Sequence, residues 1–429
     1  MGHRGVGIAR REGKVVLVPF SAVGDRAEVK ITRAHQDYDE AEILKLIKPS
    51  SLRREPPCHF FGACGGCQLQ HLPISFQRMI KEEIFREMLS HQGIVVEKGI
   101  KDLLFSSNEF DYRSHAEMHV EWQENPLIGF MAPRDNKVVP IDQCLVANSL
   151  IQSILPEVSG ILKKANATQV TEVAISGDFP VGKTVITFFS SKTLPDSVRK
   201  ALEKVVRDIP QVKGLYLITR DEEKPAVVWK ETGAPSGVLY SLPFKDGGTD
   251  LMLEAWPGVF RQVNPEVNRI LMSLVLHWIK NLGAQQVLEL YAGMGNFTIP
   301  VSFLTQNVLA IEGNSYAVEN AKANALRYSR KNIQWMTGSV KDEIKSLKKE
   351  SFDLIIIDPP RKGAKEILKE IIQLHSEHII YISCEPATLT RDMQFLKKYG
   401  SYNVIITQPL DMFPQTFHVE SVTLLQRYD

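Results

Sequence analysis

The stretch LELYAGMGNF, residues 288–297, decides the fold. An apolar strand runs into a turn with two glycines, Gly293 and Gly295, and a helix is predicted directly after it. Glycines at such a turn let the backbone approach a ligand closely, as at the first turn of nucleotide-binding folds. Two glycines without a third are a weak signal alone. The succession of strand, glycine turn and helix predicts an α/β domain with a ligand at this turn.

The next predicted strand ends on Glu312, which strengthens the ligand interpretation. A carboxylate in that place accepts hydrogen bonds from both hydroxyls of a ribose. The alternative is an acid near a helix N-terminus, which stabilises the helix by a few tenths to about 1 kcal/mol. The glycine turn and the acid together favour a nucleoside cofactor. A turn without a phosphate-binding lysine favours S-adenosylmethionine.

Short apolar strands and helices alternate from about residue 255 onward. Strands are predicted at residues 287–291, 308–311, 354–357, 379–383 and 421–426, with a helix at 315–327. This pattern predicts a mostly parallel sheet covered on both faces, and therefore a Rossmann-like α/β domain over residues 255–429.

The rest of the chain predicts two further units. Residues 1–50 carry closely spaced strands at 14–20, 27–31 and 41–44, which indicate a small β-barrel of the oligonucleotide-binding kind. Its basic residues suit either an RNA-binding face or an ordinary solvated surface. Residues 51–254 are expected to form an α+β middle domain, with strands at 170–176 and 184–189 and a helix at 197–207. A helix at 74–92 is expected to pack on the C-terminal domain.

Composition excludes several classes of protein. The chain has 429 residues, of which 44% are hydrophobic and 24% charged, as in a soluble globular protein of two or three domains. No apolar run is long enough to span a bilayer, and the first residues lack a secretory signal, so we expect a cytoplasmic protein without membrane association. A net charge of +1 neither requires nor excludes a nucleic-acid partner. No obligate protein partner is indicated.

Three segments near the C-terminus carry candidate catalytic residues. Asp358 follows a strand and opens the stiff loop Asp-Pro-Pro-Arg-Lys-Gly, at the edge where open α/β sheets bind ligands. Cys384 also follows a strand, in a polar run that includes Arg391, and a nearby cation favours the thiolate. Glu420 opens the last predicted strand. The simpler alternatives are a buried core cysteine and a solvent-facing strand glutamate.

A cysteine, a carboxylate and a methyl donor together suit methylation of uracil at C5. Uracil C5 is a poor nucleophile, but attack of a thiolate at C6 produces an enolate whose C5 is nucleophilic. That carbon takes the methyl group, and a base then removes the C5 proton so that the cysteine leaves. The chemistry predicts Cys384 as the nucleophile and Glu420 as the base. Asp358 is expected to orient one of them.

The five cysteines divide into four and one. Cys58, Cys64 and Cys67 lie close together, Cys144 is isolated, and Cys384 is far downstream. Four thiolates suit either tetrahedral zinc or a [4Fe–4S] cluster, and their spacing does not separate the two. Disulfides are disfavoured in a cytosolic protein. The sequence therefore predicts a site for a metal ion or cluster formed by the first four cysteines.

Five segments occur in an order that resembles one family, the RNA 5-methyluridine (uracil-C5) methyltransferases. They begin at residues 260, 291, 358, 383 and 418 and read FRQVN, YAGMGNF, DPPRKG, SCEPATLTRD and HVE. The resemblance implies that Cys384 is the nucleophile and Glu420 the base. It implies that the methyl donor is held by Gln262, Tyr291, Asn296, Glu312 and Asp358. Phe260 and Arg391 are candidate contacts to the substrate.

Two N-terminal features extend the resemblance. Residues 1–50 resemble a TRAM domain, an RNA-binding barrel, whose usual first strand is missing or clipped. Cys58, Cys64, Cys67 and Cys144 resemble the [4Fe–4S] ligands of the ribosomal-RNA branch of the family, which favours the cluster over zinc and assigns it a structural task. The resemblance therefore implies a uridine of 23S rRNA as the substrate. A uridine of the tRNA T-loop is the alternative.

Two rival functions have distinct consequences. A cytosine-C5 methyltransferase also uses a cysteine but needs an acid beside N3, and an assay with uracil- and cytosine-containing RNA separates the two. A non-catalytic iron–sulfur protein that binds or folds RNA would not need Cys384. For a methyltransferase, the target uridine must be flipped out of its stack, and Phe260 or Tyr291 is expected to fill or cap the vacated place.

Overall fold

A computed structural model describes residues 1–429 except 221, 223, 245–249, 348, 349 and 429. Its first unit follows a 3₁₀ turn at His3–Gly5 and has four strands: β1 (Gly7–Arg11), β2 (Lys14–Val18), β3 (Arg26–Ala34) and β4 (Tyr38–Lys48). They form a sheet in the order β1-β2-β4-β3, around a small core of Val16, Val18 and Ala41. Since β1 and β3 are not paired with each other, the unit is an open sheet of four strands. The sequence predicts a small barrel that lacks its first strand, and an open sheet agrees with that expectation.

Helix α1 (Ile74–His91) joins the N-terminal part of the chain to the C-terminal domain. Its Phe85 and Leu89 are fully buried in the core on one face of the C-terminal sheet. The following segment pairs with the strand at Tyr402–Leu410 through isolated bridges, such as Val96 with Val404. The helix ends one residue before the predicted bound.

The middle unit has a seven-stranded sheet with three helices. Its elements are β5 (His115–Trp122), β6 (Pro126–Met131), β7 (Val138–Pro140), α2 (Ser149–Ile154), α3 (Glu157–Ala165), β8 (Val170–Asp178), β9 (Lys183–Ser190), α4 (Asp196–Arg207), β10 (Val212–Thr219) and β11 (Ala226–Lys230). The order is β11-β10-β9-β8-β5-β6-β7, and only β9 and β10 are parallel. The helices contribute Ile151, Leu162 and Leu202 to the core of this unit.

The C-terminal unit has a second seven-stranded sheet. Its elements are β12 (Val238–Leu242), β13 (Leu251–Ala255), α5 (Pro265–Leu282), β14 (Gln286–Leu290), α6 (Thr298–Val301), β15 (Asn307–Glu312), α7 (Ser315–Arg327), β16 (Ile333–Thr337), α8 (Val340–Glu343), a 3₁₀ turn (Ile344–Leu347), β17 (Leu354–Ile357), α9 (Leu368–Gln373), β18 (His378–Ser383), α10 (Pro386–Gly400), β19 (Tyr402–Leu410) and β20 (Glu420–Arg427). The order is β16-β15-β14-β17-β18-β20-β19, and only β20 runs against its neighbours. β12 and β13 form a separate hairpin.

Local sequence signals explain where the helices of this unit begin and end. Asn264 accepts a hydrogen bond from the Val267 amide and Pro265 opens α5, which ends at Gly283 with a φ of 67°. Asn314 caps α7 in the same way by accepting from the Ala317 amide. The predicted bounds of α7 and of β17 match those of the structure. None of the helices in the described part of the chain has the length and hydropathy needed to cross a bilayer.

Candidate active site

The C-terminal sheet brings Cys384 and Glu420 together. β18 and β20 are antiparallel, and their last registered pair is Ser383 with Ser421. The next position along this register sets Cys384 opposite Glu420, and directly opposed residues of an antiparallel pair have Cα atoms about 4.5–5.5 Å apart. Glu420 is only 3% exposed and Cys384 is half-buried. A solvent-facing Glu420 and a core Cys384 are therefore both excluded.

Asp358 lies at the same edge of the sheet. β17 runs parallel to β18, and Asp358 directly follows Ile357, the last residue of β17. Burial raises the pKa of Asp358 to about 7. Burial, with Asp358 as the second cause, raises the pKa of Glu420 well above its usual range, while Arg361 acts to lower it. Two carboxyl groups and one guanidinium thus surround the cysteine.

The electrostatics around Cys384 correct one expectation. Burial, followed by the carboxylates of Glu420 and Asp358, raises the pKa of the Cys384 thiol to about 12, and Arg361 opposes the shift. The prediction that the surroundings favour the thiolate is therefore wrong for the chain alone, because burial and two acids outweigh one cation. The cation that acts on Cys384 is Arg361, and its position directly after the Pro-Pro pair was the sequence signal for it.

Arg391 has a different set of partners from the one expected. Its Nη2 lies 2.7 Å from Asp392 Oδ1 and donates to the Lys362 carbonyl at 2.9 Å. Asp392 is fully buried and also accepts from Tyr381 Oη at 2.8 Å and from the Ala364 amide at 2.7 Å. These bonds fasten the Asp358 loop to both β18 and α10. Arg391 and Asp392 thereby fix the loop that carries Asp358 and Arg361.

The glycine turn has the conformation that the sequence predicts. Tyr291, Gly293 and Gly295 all have positive φ, at 65°, 56° and 86°. Glu312 accepts from the Gly293 amide through Oε2 at 2.9 Å and from the Asn314 amide through Oε1 at 2.7 Å. The acid therefore lies at the turn, as a ribose contact requires, and also supports the start of α7. A left-handed tyrosine is uncommon and concentrates at functional sites.

Asn296 is held by side chains that the sequence did not indicate. Its amide exchanges two hydrogen bonds with the amide of Asn268, at 3.0 and 3.2 Å, and its Oδ1 accepts from Tyr240 Oη at 3.3 Å. Asn268 and Tyr240 line a cavity of about 360 Å³ together with Gln262. The hydrogen bonds between Asn296 and Asn268 thus connect the end of the glycine turn to the cavity that Gln262 lines. Neither partner was identifiable from the sequence, because neither belongs to a recognisable motif.

Phe260 lies on the loop before α5 and is 72% exposed. Its neighbour Arg261 is buried and donates to the carbonyl of Ser114 in the middle unit. The buried arginine anchors the loop, and the aromatic ring stays at the surface. An anchored, exposed aromatic ring is suited to stacking on an unpaired base.

The four remaining cysteines line one cavity of about 230 Å³, although Cys144 is distant in sequence. Burial raises the pKa values of Cys64 and Cys144, and that of Cys67 to about 12, with neighbouring cysteines as further causes. Within the described ranges, no group of three or more ligating side chains has the arrangement of a single-ion site. A tetrahedral zinc site brings its sulfurs to roughly 3.8 Å from one another, given a Zn–S bond of about 2.3 Å. The donor set of four cysteines fits a ligand that binds thiolates.

The chain matches two models of protein families. A family model described as tRNA (Uracil-5-)-methyltransferase matches residues 86–428. The chain belongs to this family. A second model, described as the TRAM domain of tRNA (uracil(54)-C(5))-methyltransferase, matches residues 1–52. The predicted family and the predicted TRAM unit are both confirmed.

Individual relatives match over the full length. The chain is 30% identical to a Legionella pneumophila protein named 23S rRNA (uracil(1939)-C(5))-methyltransferase RlmD, over 100% of this chain and 96% of that one. It is 31% identical to the Pseudomonas syringae protein of the same name, over 98% and 91%. A crystal structure of Pyrococcus abyssi tRNA (uracil-54, C5)-methyltransferase with S-adenosyl-L-homocysteine superposes with a TM-score of 0.71 at 23% identity, covering 98% of this chain and 99% of that one.

Membership of the family defines the reaction class. The chain is an S-adenosylmethionine-dependent RNA uracil-C5 methyltransferase, as the sequence predicted. The superposition confirms the methyltransferase fold of the C-terminal unit. RNA is therefore the substrate.

Proposed function

We propose that this enzyme methylates C5 of a uridine in 23S rRNA, with Cys384 as nucleophile and Glu420 as base. The observation that carries the proposal is the register of β18 and β20, which sets these two residues opposite each other beside Asp358. The full-length relatives named for 23S rRNA support the choice of substrate. A tRNA T-loop uridine is the second candidate, supported by the name of the family model and by the structural neighbour.

The proposed reaction begins at the sulfur of Cys384. The thiolate forms a bond to C6 of uracil, and the C5=C6 electron pair moves to C5 and O4 as an enolate. C5 then attacks the methyl carbon, and the broken carbon–sulfur bond leaves its electrons on S-adenosylhomocysteine. Glu420 removes the C5 proton, the C5=C6 bond reforms, and Cys384 leaves with its electron pair. RNA gains one methyl group and loses one proton.

Burial raises the pKa values of Cys384 and Glu420, which disfavours the ionised forms that this reaction uses. When bound, S-adenosylmethionine supplies the methyl group and a sulfonium cation. A cation beside these acids favours their ionised forms. Cys384 and Glu420 therefore reach their reactive states in the ternary complex, and the burial that disfavours ionisation in the free enzyme also excludes water.

The residues around this pair divide into two sets. Those proposed to hold the methyl donor are Gln262, Tyr291, Asn296, Glu312 and Asp358. Phe260 is proposed to stack on an RNA base. Arg391 braces the catalytic loop through Asp392, and since its side chain remains 41% exposed it is also proposed to contact RNA. We propose that residues 1–50 bind RNA, that residues 51–254 carry the cysteine cavity and that residues 255–429 carry out catalysis. The enzyme is proposed to act in the cytoplasm.

We further propose that Cys58, Cys64, Cys67 and Cys144 hold a [4Fe–4S] cluster with a structural task. The common cavity supports one shared site for the four thiols, and their resemblance to the ligands of the ribosomal-RNA branch of the family favours the cluster over zinc. Iron and sulfide analysis of protein purified without oxygen should give about four of each per chain. A content of one zinc ion per chain would contradict the assignment of a cluster. It would not contradict the proposed methyl transfer.

The substrate is tested with transcripts of a 23S rRNA fragment and of a tRNA T-arm, each with labelled methyl donor. We expect label in the rRNA fragment, and label only in the T-arm would establish the tRNA alternative. Replacing uridine by 5-fluorouridine should trap a protein–RNA adduct, because fluorine cannot leave as a cation. Cys384→Ser is the matched control. If the wild type methylates ordinary RNA but forms no adduct, the cysteine mechanism is wrong.

A further inference from the structure

Residues 411–419 connect β19 to β20 and end directly before Glu420. At the centre of this loop, Gln415 is fully buried and has a φ of 71°. A left-handed conformation is unfavourable for a non-glycine residue and persists where surrounding contacts enforce it. The contacts that enforce it here come from residues 54–112, more than 300 positions earlier in the chain.

Both backbone polar groups and both side-chain polar atoms of Gln415 are hydrogen-bonded to that segment. The Gln415 carbonyl accepts from the amides of Gln68 and Leu69 at 2.9 and 3.0 Å. Its amide donates to Gln77 Oε1 at 3.1 Å, and its Oε1 accepts from Gln77 Nε2 at 2.9 Å. Two further partners of the side chain are Arg54, at 3.2 Å from Oε1, and Glu109, at 3.2 Å from Nε2.

Neighbouring contacts hold the rest of the first half of the loop. Lys81 Nζ, on α1, donates to Asp411 Oδ1 at 2.5 Å and to the Phe413 carbonyl at 2.9 Å. Tyr112 Oη donates to the Pro414 carbonyl at 3.0 Å. Gln415 thus lies at the end of a run of loop residues, starting at Asp411, that are hydrogen-bonded to this segment. From there the chain has only four residues to reach Glu420.

The second half of the loop borders the catalytic centre. Phe417 and His418 line a groove of about 920 Å³ together with Arg361 and Glu385. Glu420 itself forms the terminal pair of β19 and β20, opposite Leu410. The ladder of hydrogen bonds continues from this terminal pair in one direction only. In the other direction lies the loop of residues 411–419, so the position of Glu420 depends on that loop. Gln68, one of the partners of Gln415, directly follows the cluster cysteine Cys67.

We propose that Gln415 is a positioning residue that sets Glu420 for removal of the C5 proton. It does so by fastening the loop before Glu420 to α1 and to the segment after Cys67. The inference rests on the proposed function, since it presupposes Glu420 as the base. It makes the proton-removal step, and not the formation of the adduct, the step that depends on Gln415.

The test is the release of a covalent complex on ordinary uridine RNA. In Gln415→Ala, formation of the adduct and of S-adenosylhomocysteine should proceed, while release of methylated RNA slows by about 10²-fold, the order expected for a displacement near 1 Å. The complex should then accumulate on a denaturing gel, with the KM for the methyl donor unchanged. Gln415→Gly should behave alike, and it relieves the left-handed backbone. Gln77→Ala removes the same contact from the other side, and its effect should not add to that of Gln415→Ala.

Gln408→Ala is the matched control. Gln408 is a buried glutamine of β19 that donates to the Asp102 carbonyl and lies outside the loop, so no complex should accumulate. The inference would be overturned if the Gln415 variants released methylated RNA at the wild-type rate, or if adduct formation and release slowed equally. In either case the proposed function would stand, provided that the wild type methylates RNA. If neither Gln415 variant folds, the same measurements on Gln77→Ala decide: slowed release with normal adduct formation supports the inference, and any other result overturns it. A wild type that forms no adduct at all would instead contradict the proposed function.

Discussion

Ser421 donates from its hydroxyl to the carbonyl of Ser383 at 3.3 Å, and the two residues form the last registered pair of β18 and β20. Cys384, the proposed nucleophile, directly follows Ser383, and Glu420, the proposed base, directly precedes Ser421. Their separation is therefore set by a sheet, which is more rigid than two independent loops. The following predictions depend on this arrangement and on the groups that surround it.

Glu420→Gln should separate the two halves of the reaction. Gln keeps the volume of the side chain but cannot accept the C5 proton, so turnover should fall by about 10²–10⁴-fold. Methylated RNA should stay bound to Cys384 and run with the protein on a denaturing gel. Cys384→Ser combined with Glu420→Gln should abolish that band. Full turnover by the single variant would exclude Glu420 as the base.

The alkylation rate of Cys384 in the free enzyme should rise with pH. Since burial and two neighbouring carboxylates raise its pKa to about 12, the thiolate fraction is small at neutral pH and grows about tenfold per pH unit up to pH 10. Arg361→Ala removes the cation that opposes this shift and should slow alkylation further. Lys224→Ala removes an exposed cation that is paired with Glu319, and as the control it should leave the rate unchanged. Peptide mass spectrometry distinguishes Cys384 from the other thiols, and a plateau below pH 9 would contradict the prediction.

Glu289 should make stability fall with rising pH. Burial, with Asp358 and Glu312 as further causes, raises its pKa to about 8 in the folded enzyme from the usual 4.5. Between these values the folded chain keeps a proton that the unfolded chain releases, so its free energy of unfolding decreases by up to about 1.4 kcal/mol per pH unit. Glu289→Gln should make this slope shallower in urea unfolding at pH 5, 6.5 and 8, while the raised pKa values of Asp358 and Glu420 keep their own contribution. An unchanged slope would show that Glu289 ionises normally, and exposed Glu28→Gln is the control.

The ion pair of Lys81 and Asp411 should behave as a buried pair, since both side chains are almost fully excluded from solvent. Lys81→Met leaves the carboxylate without its closest partner and should reduce the free energy of unfolding by about 3–5 kcal/mol. Adding Asp411→Leu should restore much of the loss. Lys224→Met, which breaks an exposed pair with Glu319, is the control and should change stability by less than about 1 kcal/mol. If the double variant lost as much unfolding free energy as the two single variants together, the two residues would not act as a buried ion pair.

Much of the fold followed from local signals. The bounds of β17 and α7 were predictable because one is an uninterrupted apolar run and the other has an asparagine cap. β16 and β19 were not predicted, because polar residues interrupt their apolar patterns. In β19, Thr407 and Gln408 are buried and find hydrogen-bond partners on Thr423 and Asp102. Partners so far away in sequence leave no local pattern.

The sequence by itself indicated the chemical class, because Cys384 and the donor-binding turn each follow a predicted strand and Glu420 opens another. It also determined the family through its motifs. Only the tertiary structure decided the surroundings of those groups: that burial and two acids raise the pKa of Cys384, that Arg361 opposes this shift, and that Gln415 is bonded to residues far earlier in the chain. The physical reason is that pKa values and loop positions depend on burial and on contacts between residues hundreds of positions apart, which the order of residues does not display.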